Sequence, residues 1–221
     1  MPIPYQLISV VDRSVPFTEA LNWQYSLQQS RLRNDNPDTL LLLEHTPVVT
    51  LGRSSVPERD LLVPTGQILE SGIEVHETDR GGEITYHAPG QLVGYPILQL
   101  SDFGNERDLH EYLRKLEQVI IETIQTWGVS GSRKEGLTGV WVDDNKIAAI
   151  GIKVSRWVTM HGFALNICPD LSPMRRDFIP CGIRDFGVTS LRELGVGVKR
   201  KDVEPVLIAN FEKIFNRVRI T

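Results

Sequence analysis

The sequence reads as one α+β domain over residues 1–221, a mixed β-sheet with helices flanking it. Three observations lead there. Strand-like apolar runs crowd the middle of the chain, stretches around them repeat apolar residues at helical spacing, and neither an internal repeat nor a Ser- or Gly-rich linker divides the sequence. Periodicity does not carry the order or pairing of the strands.

Pro16 opens the first helical stretch, in which Phe17, Ala20, Leu21, Tyr25 and Leu32 fall near one face. Residues 40–45 and 48–51 follow as short buried strands interrupted at Pro47, and residues 91–100 form another after Gly90. Leu109, Leu113, Leu116, Ile120, Ile124 and Trp127 step by three or four, the stripe of an amphipathic helix. Asn105 stands where it can cap that helix and Gly128 where it should stop. Residues 139–168 read as antiparallel strands. Val140 and Val142 lead into the turn Asp143-Asp144-Asn145, residues 147–154 follow, Ser155-Arg156 turns the chain, and residues 158–167 return. Ser190 with Glu193 has capping-box spacing for a short helix, and Val203, Leu207, Phe211, Ile214 and Val218 stripe the last one.

Composition narrows the function. Apolar residues at 41% are enough for a core, and 24 Lys and Arg against 28 Asp and Glu leave no basic field for nucleic acid or an anionic membrane. The start, Met1-Pro2-Ile3-Pro4-Tyr5, lacks the features of a secretory signal, and the apolar run of residues 40–43 is far short of a membrane span. The expectation is a cytoplasmic monomer whose Cys168 and Cys181 remain thiols.

Chemistry concentrates in Arg80-Gly81-Gly82-Glu83-Ile84-Thr85-Tyr86-His87-Ala88-Pro89-Gly90-Gln91, which leads on to Tyr95-Pro96. Paired glycines let the backbone turn tightly and bring N–H groups up to an acyl or phosphate oxygen. Arg80 sets a positive fork beside them, and Thr85, Tyr86 and His87 supply polar and aromatic surface. A tight hairpin with a satisfied polar rim explains the same residues, and the run fits neither a dinucleotide-binding nor a phosphate-binding loop.

The run resembles the defining motif of the lipoyl/octanoyl transferase family. Glu44-His45-Thr46-Pro47-Val48 with Gly52-Arg53, Lys146-Ile147-Ala148-Ala149-Ile150-Gly151, His161-Gly162-Phe163-Ala164-Leu165-Asn166 and Pro180-Cys181-Gly182 resemble it too, in the family's order. The resemblance implies a fold shared with the catalytic domains of biotin and lipoate protein ligases. It implies transfer of an octanoyl group from octanoyl-acyl carrier protein to a lysine of lipoyl domains, those of 2-oxoacid dehydrogenase complexes and the glycine cleavage H protein, without a cofactor. It makes Cys181 the acyl-thioester nucleophile and Lys146 its basic partner. The acyl and pantetheine end would lie against Arg80, Gly81, Gly82, Glu83, Ile84, Thr85, Tyr86 and His87, against Ala149, Ile150 and Gly151, and against Gly162, Phe163 and Ala164.

The chemistry is coherent in its own right. A free thiol has a pKa of about 8.5, so a lysine ammonium that stabilises the thiolate, or a neutral lysine that accepts its proton, raises reactivity at neutral pH. Thioester exchange is nearly balanced and transfer from sulfur to an amine is downhill, so neither ATP nor metal is needed. Cys168, inside an apolar strand, reads as a small buried hydrophobe, whereas Cys181 between Pro180 and Gly182 suits a loop that presents a thiol. Lys146 taken alone reads as a solvated hairpin lysine. His45, His87 and His161 lack the spacing of zinc ligands and read as polar pocket lining. The rivals are an ATP-dependent lipoate or biotin ligase, which needs no nucleophilic cysteine, and a non-catalytic acyl-carrier-binding protein.

Overall fold

Four leucines in succession, Leu40 to Leu43, are all buried, which requires a strand covered on both faces. The computed structural model, which describes residues 1–100, 108–178 and 186–220, places them at the centre of a mixed sheet. In chain order come β1 (Ile3–Ser9), α1 (Phe17–Leu32), β2 (Asp38–Leu43), β3 (Val48–Leu51), the short helices α2 (Pro57–Asp60) and α3 (Thr65–Glu70), β4 (Glu74–Glu77), β5 (Ile84–His87) and β6 (Gln91–Ile97). Then follow α4 (Leu109–Gln125), β7 (Ser132–Lys134), β8 (Leu137–Val142), β9 (Asn145–Ser155), β10 (Val158–Asn166), α5 (Ser172–Asp177), β11 (Gly187–Val188), α6 (Arg200–Phe215) and β12 (Arg217–Arg219).

The large sheet runs β12-β1-β2-β6-β10-β9-β8-β7, with β11 paired to β9. β1 is parallel to β12 and β2, β11 is parallel to β9, and the other pairs are antiparallel. Leu40 and Leu42 join one core with α4 and α6, while Leu41 and Leu43 face α1 on the other side. A second sheet, β4-β3-β5, has its own apolar cluster with α3 and α5. The expected α+β class with a mixed sheet is what the chain adopts. Among the described residues no helix is long and apolar enough to cross a membrane.

Several local expectations are corrected. α1 buries Phe17, Ala20, Gln24 and Gln28, whereas Tyr25 is exposed. The two glutamines are buried because Gln24 accepts from the His161 N–H and Gln28 donates to the Val158 carbonyl, tying the helix to β10. Asn105 lies outside the described residues, and Asp108 caps α4 by accepting from the N–H groups of His110 and Glu111. Gly128, at φ 75°, does follow the end of that helix. Ser190 accepts from the Glu193 N–H, but Gly195 at φ 81° ends the structure after one turn. Val218 is exposed on β12; α6 buries Phe215 instead, and Asn216 in the left-handed conformation stops the helix before it.

The closing strand is held by Asp38, whose fully buried carboxylate accepts from Arg31 at 2.8 Å, the Gln99 N–H at 2.9 Å and Arg217 at 2.6 Å. Asp38→Ala leaves the buried Arg217 guanidinium facing the space of a lost counter-charge, a change that costs about 3–5 kcal/mol. Urea denaturation should register a loss of that size, and a change below about 1 kcal/mol would show that the network is dispensable.

Candidate active site

A cleft forms where the small sheet and the loop before β5 close over the α1 face of the large sheet. Its inner part, about 20 Å³, is lined by Phe17 of α1, Thr50 of β3, Thr85 and His87 of β5, Tyr95 of β6, Ala149 and Gly151 of β9, and residues 161–164 of β10. Its mouth, about 350 Å³, is lined by Gly82, Glu83, Ile84, Thr138, Lys146, Ile150 and Met174 among others. Arg80, Thr85 and Ala149 line both, so the two parts adjoin. Of the residues named from sequence, three among the described ones line neither part directly: Gly81, Tyr86, which packs in the small-sheet core, and His45, which stands behind the wall.

The loop is built by close backbone approach. A Cβ on Gly52 would fall 2.2 Å from the Gly82 carbonyl oxygen, and one on Gly151 would fall 2.8 Å from that of Gly81. Gly82 adopts φ 86°, which glycine takes without strain. Arg80 donates to the Thr50 carbonyl at 2.7 Å, the Thr50 hydroxyl at 2.9 Å and the Glu83 carbonyl at 2.7 Å. Arg80 is thus a clamp that shapes the wall, and it also lines both parts of the cleft. The Gly81 N–H likewise turns to the Ile152 carbonyl at 2.8 Å rather than to a ligand.

Two buried histidines, His45 and His87, are fixed in tautomer by their bonding partners. His45 Nδ1 sits 2.8 Å from the Val15 carbonyl, which can only accept, so Nδ1 carries the proton and Nε2 accepts from the Tyr95 hydroxyl at 2.6 Å. Gln91 donates Nε2 to the Tyr86 carbonyl and to Asn166 Oδ1, so its Oε1 accepts from His87 Nδ1 at 2.6 Å. The network runs on, from Asn166 to the Thr189 carbonyl and from the Thr189 N–H to the Lys146 carbonyl. Burial pushes His45 down to about 4, and burial with the neighbouring His45 pushes His87 well below its ordinary value. Among the described residues no cluster of His, Cys, Asp or Glu could hold a metal.

Lys146 is buried, not solvated. Its ammonium lies 4.7 Å from the Trp141 ring centroid and donates to the Thr138 carbonyl at 3.2 Å. Register explains how it reaches the cleft. Trp141 pairs with Lys146 but Val140 pairs with Ala148, so Ile147 is an extra residue and the face of the strand switches. Ile147 and Ala148 both enter the core, while Lys146, Ala149 and Gly151 face the cleft. Cys181 lies outside the described residues. The flanking Phe178 stacks on Tyr86 at 6.0 Å, Phe186 lies 5.1 Å from Trp141, and Val188 pairs with Lys146 itself. Cys168 packs against the large core but is only partly buried, and it lies just past β10 rather than inside the strand as expected. Sequence reasoning missed Trp141, Thr50, Phe17 and Asp79; none of them carries a local signal, because each acquires its role from a partner on another element.

Comparison with known proteins agrees with this architecture. The family model for the lipoyl protein ligase A/B catalytic domain matches residues 16–212. The octanoyltransferase of Gloeobacter violaceus is 51% identical over 203 residues, 91% of this chain and 86% of that protein. A bipartite lipoate protein ligase from Thermoplasma acidophilum superimposes with a TM-score of 0.74 at 18% identity, over 99% of this chain and 88% of that one. The biotin protein ligase of Aquifex aeolicus gives 0.57 at 17% identity, over 95% and 70%. These two similarities are of fold.

The neutral histidines make stability fall in acid. An unfolded His45 takes up a proton near 6.5 while the folded one stays neutral down to about 4, so stability is complete above pH 6.5 and is lost as the pH falls toward 4. His45 accounts for on the order of 3 kcal/mol of that loss, and His87 adds to it in the same direction. His45→Gln should flatten the dependence of denaturation midpoint on pH across that window; an unchanged slope would show that other groups set it.

Proposed function

This chain belongs to the lipoyl protein ligase A/B catalytic-domain family, and we propose that it moves an octanoyl group from acyl carrier protein to a lysine of lipoyl domains through a thioester on Cys181. Octanoyl transfer in protein lipoylation is the activity; the donor, the acceptor lysine and the covalent route are the finer reading. The observation that supports it most is the position of Lys146. Its ammonium sits in the mouth of the cleft, on the strand that receives the chain directly after the segment bearing Cys181.

The steps follow from that arrangement. The Lys146 ammonium, held over the Trp141 ring face and bonded to the Thr138 carbonyl, stabilises the Cys181 thiolate. The thiolate attacks the thioester carbonyl; the new C–S bond forms, the bond to the pantetheine sulfur breaks, and that sulfur leaves as a thiol with the Lys146 proton. The carrier departs. The acceptor lysine then attacks the acyl-enzyme as a free amine, the amide forms, Cys181 leaves as thiolate, and the proton shed by the amine returns to Lys146. No net redox change occurs and no nucleotide is consumed. Ala149, Gly151, Gly162 and Phe163 wall the acyl chain off from water; the inner cleft at rest has room for about one water, so entry of the chain moves these walls apart.

Enzyme mixed with octanoyl-carrier protein alone should gain one octanoyl mass, lost on adding hydroxylamine or a lipoyl domain. Cys181→Ser should abolish the adduct and transfer, and Cys168→Ser should retain both. ATP-dependent use of free octanoate with no adduct would instead establish a ligase.

Lys146→Ala should slow transfer by about 10²–10⁴-fold, the usual worth of a positioned acid–base group. Lys146→Arg should restore little, since a guanidinium does not surrender its proton. Equal iodoacetamide alkylation rates of Cys181 in wild type, Lys146→Ala and Lys146→Arg would remove Lys146 from thiol activation.

A further inference from the structure

We propose that Asp79, Lys153 and His161 form the stop of the acyl channel, the group that sets the longest chain this enzyme accepts. The inference rests on the reading of the inner cleft as the acyl site. β9 supplies the direction: Lys146 stands at the mouth, Ala149 and Gly151 line the interior, and Lys153 is next on the same face. At roughly 3.3 Å per residue, Ala149 and Lys153 lie about 13 Å apart along the strand. A chain laid along this face runs from the reacting carbon past Gly151 and His161 toward Lys153.

At that end four elements meet on one carboxylate. Asp79, at the head of the loop, is bonded to Lys153 Nζ of β9 and accepts from His161 Nε2 of β10 at 3.1 Å. Tyr25 of α1 donates its hydroxyl to Asp79 at 3.4 Å, and the Lys153 ammonium lies 5.6 Å from the Tyr25 ring centroid. Burial alone would raise the Asp79 carboxyl, but the bonds from Lys153 and His161 outweigh it and hold the group below its ordinary value, so it is ionised.

The cluster is one side chain thick. His161 lines the interior with its side chain 3% exposed, while its partner Asp79 is 31% exposed and Lys153 is 23% exposed. The His161 backbone adopts φ 57°, a conformation a non-glycine residue takes at a cost, and its N–H is fixed by Gln24 at 2.9 Å. The ring is thus held across the channel end with the ion pair behind it. An acyl chain that outgrows the interior has to separate this pair and push its terminal methylenes into water.

The test uses octanoyl-, decanoyl- and dodecanoyl-carrier protein as donors with the full chain, and reads the ratio of kcat/KM for dodecanoyl to octanoyl. Dodecanoyl exceeds octanoyl by four methylenes, and burying even two of them is worth roughly tenfold in binding. Lys153→Ala and Asp79→Ala should raise the ratio by about tenfold or more, and Lys153→Arg, which keeps the charge pair, should hold it near wild type. Lys153 is partly exposed, so its variants remain informative if Asp79→Ala folds poorly. An unchanged or lower ratio in Lys153→Ala overturns the stop. The ratio is read in overall transfer, so it does not depend on trapping an acyl-enzyme; failure of trapping overturns the covalent route and leaves the ratio readable.

Discussion

The site depends on one close approach, that of the residue 79–83 loop to β9 and to the end of β3. Cβ atoms at Gly52 and Gly151 would collide with the carbonyls of Gly82 and Gly81, so the two sheets meet at a distance only hydrogen permits. Arg80 converts that approach into a fixed wall by donating to the carbonyls of Thr50, Gly81 and Glu83, the last of which also accepts from the Gly52 N–H. Everything the cleft offers follows from this wall: Asp79 at its head, Thr85 and His87 on the strand it feeds, and the floor of Ala149 and Gly151 beneath it.

Within the wall, polarity is used for placement rather than charge. His45, Tyr95, His87, Gln91, Asn166 and the peptide of Thr189 form bonded chains in which each donor has a defined acceptor. In a dry interior such a network is stable only when its members are matched, and matching fixes tautomers and ring orientations. The neutral histidines follow from the same fact, since an imidazolium in that setting would lose its hydration without gaining a counter-ion. Fixed charge stands at Lys146 and Glu83 in the mouth, in the Arg80 clamp along the wall, and in the Asp79–Lys153 pair behind His161.

Much of the fold was legible in the chain. The leucine run of β2, the stripe of α4, the β8–β10 meander and Gly128 are local patterns, and local patterns are what backbone sterics and burial act on first. The failures are equally physical. Tyr25 fits a helical stripe but faces solvent because Gln24 and Gln28 are needed against β10, and Val218 lost its helix to Asn216. Polar residues that are buried for a partner cannot be told from exposed ones by period alone.

The site divides along the same line. By itself the sequence determined the chemical types: a glycine pair that lets a backbone come close, an arginine beside it, histidines without metal spacing, and a lysine and two cysteines of different setting. Only the tertiary structure decided what these residues face. Arg80 points inward because Thr50 and Glu83 offer it carbonyls, and Lys146 reaches the cleft because Ile147 is one residue too many for its ladder with β8. Asp79 has partners only because β9 and β10 carry Lys153 and His161 to it. A side chain's identity is set where it stands in the chain, but its direction and its counter-charge are set by strands dozens of residues away, through pairings that local periodicity does not encode.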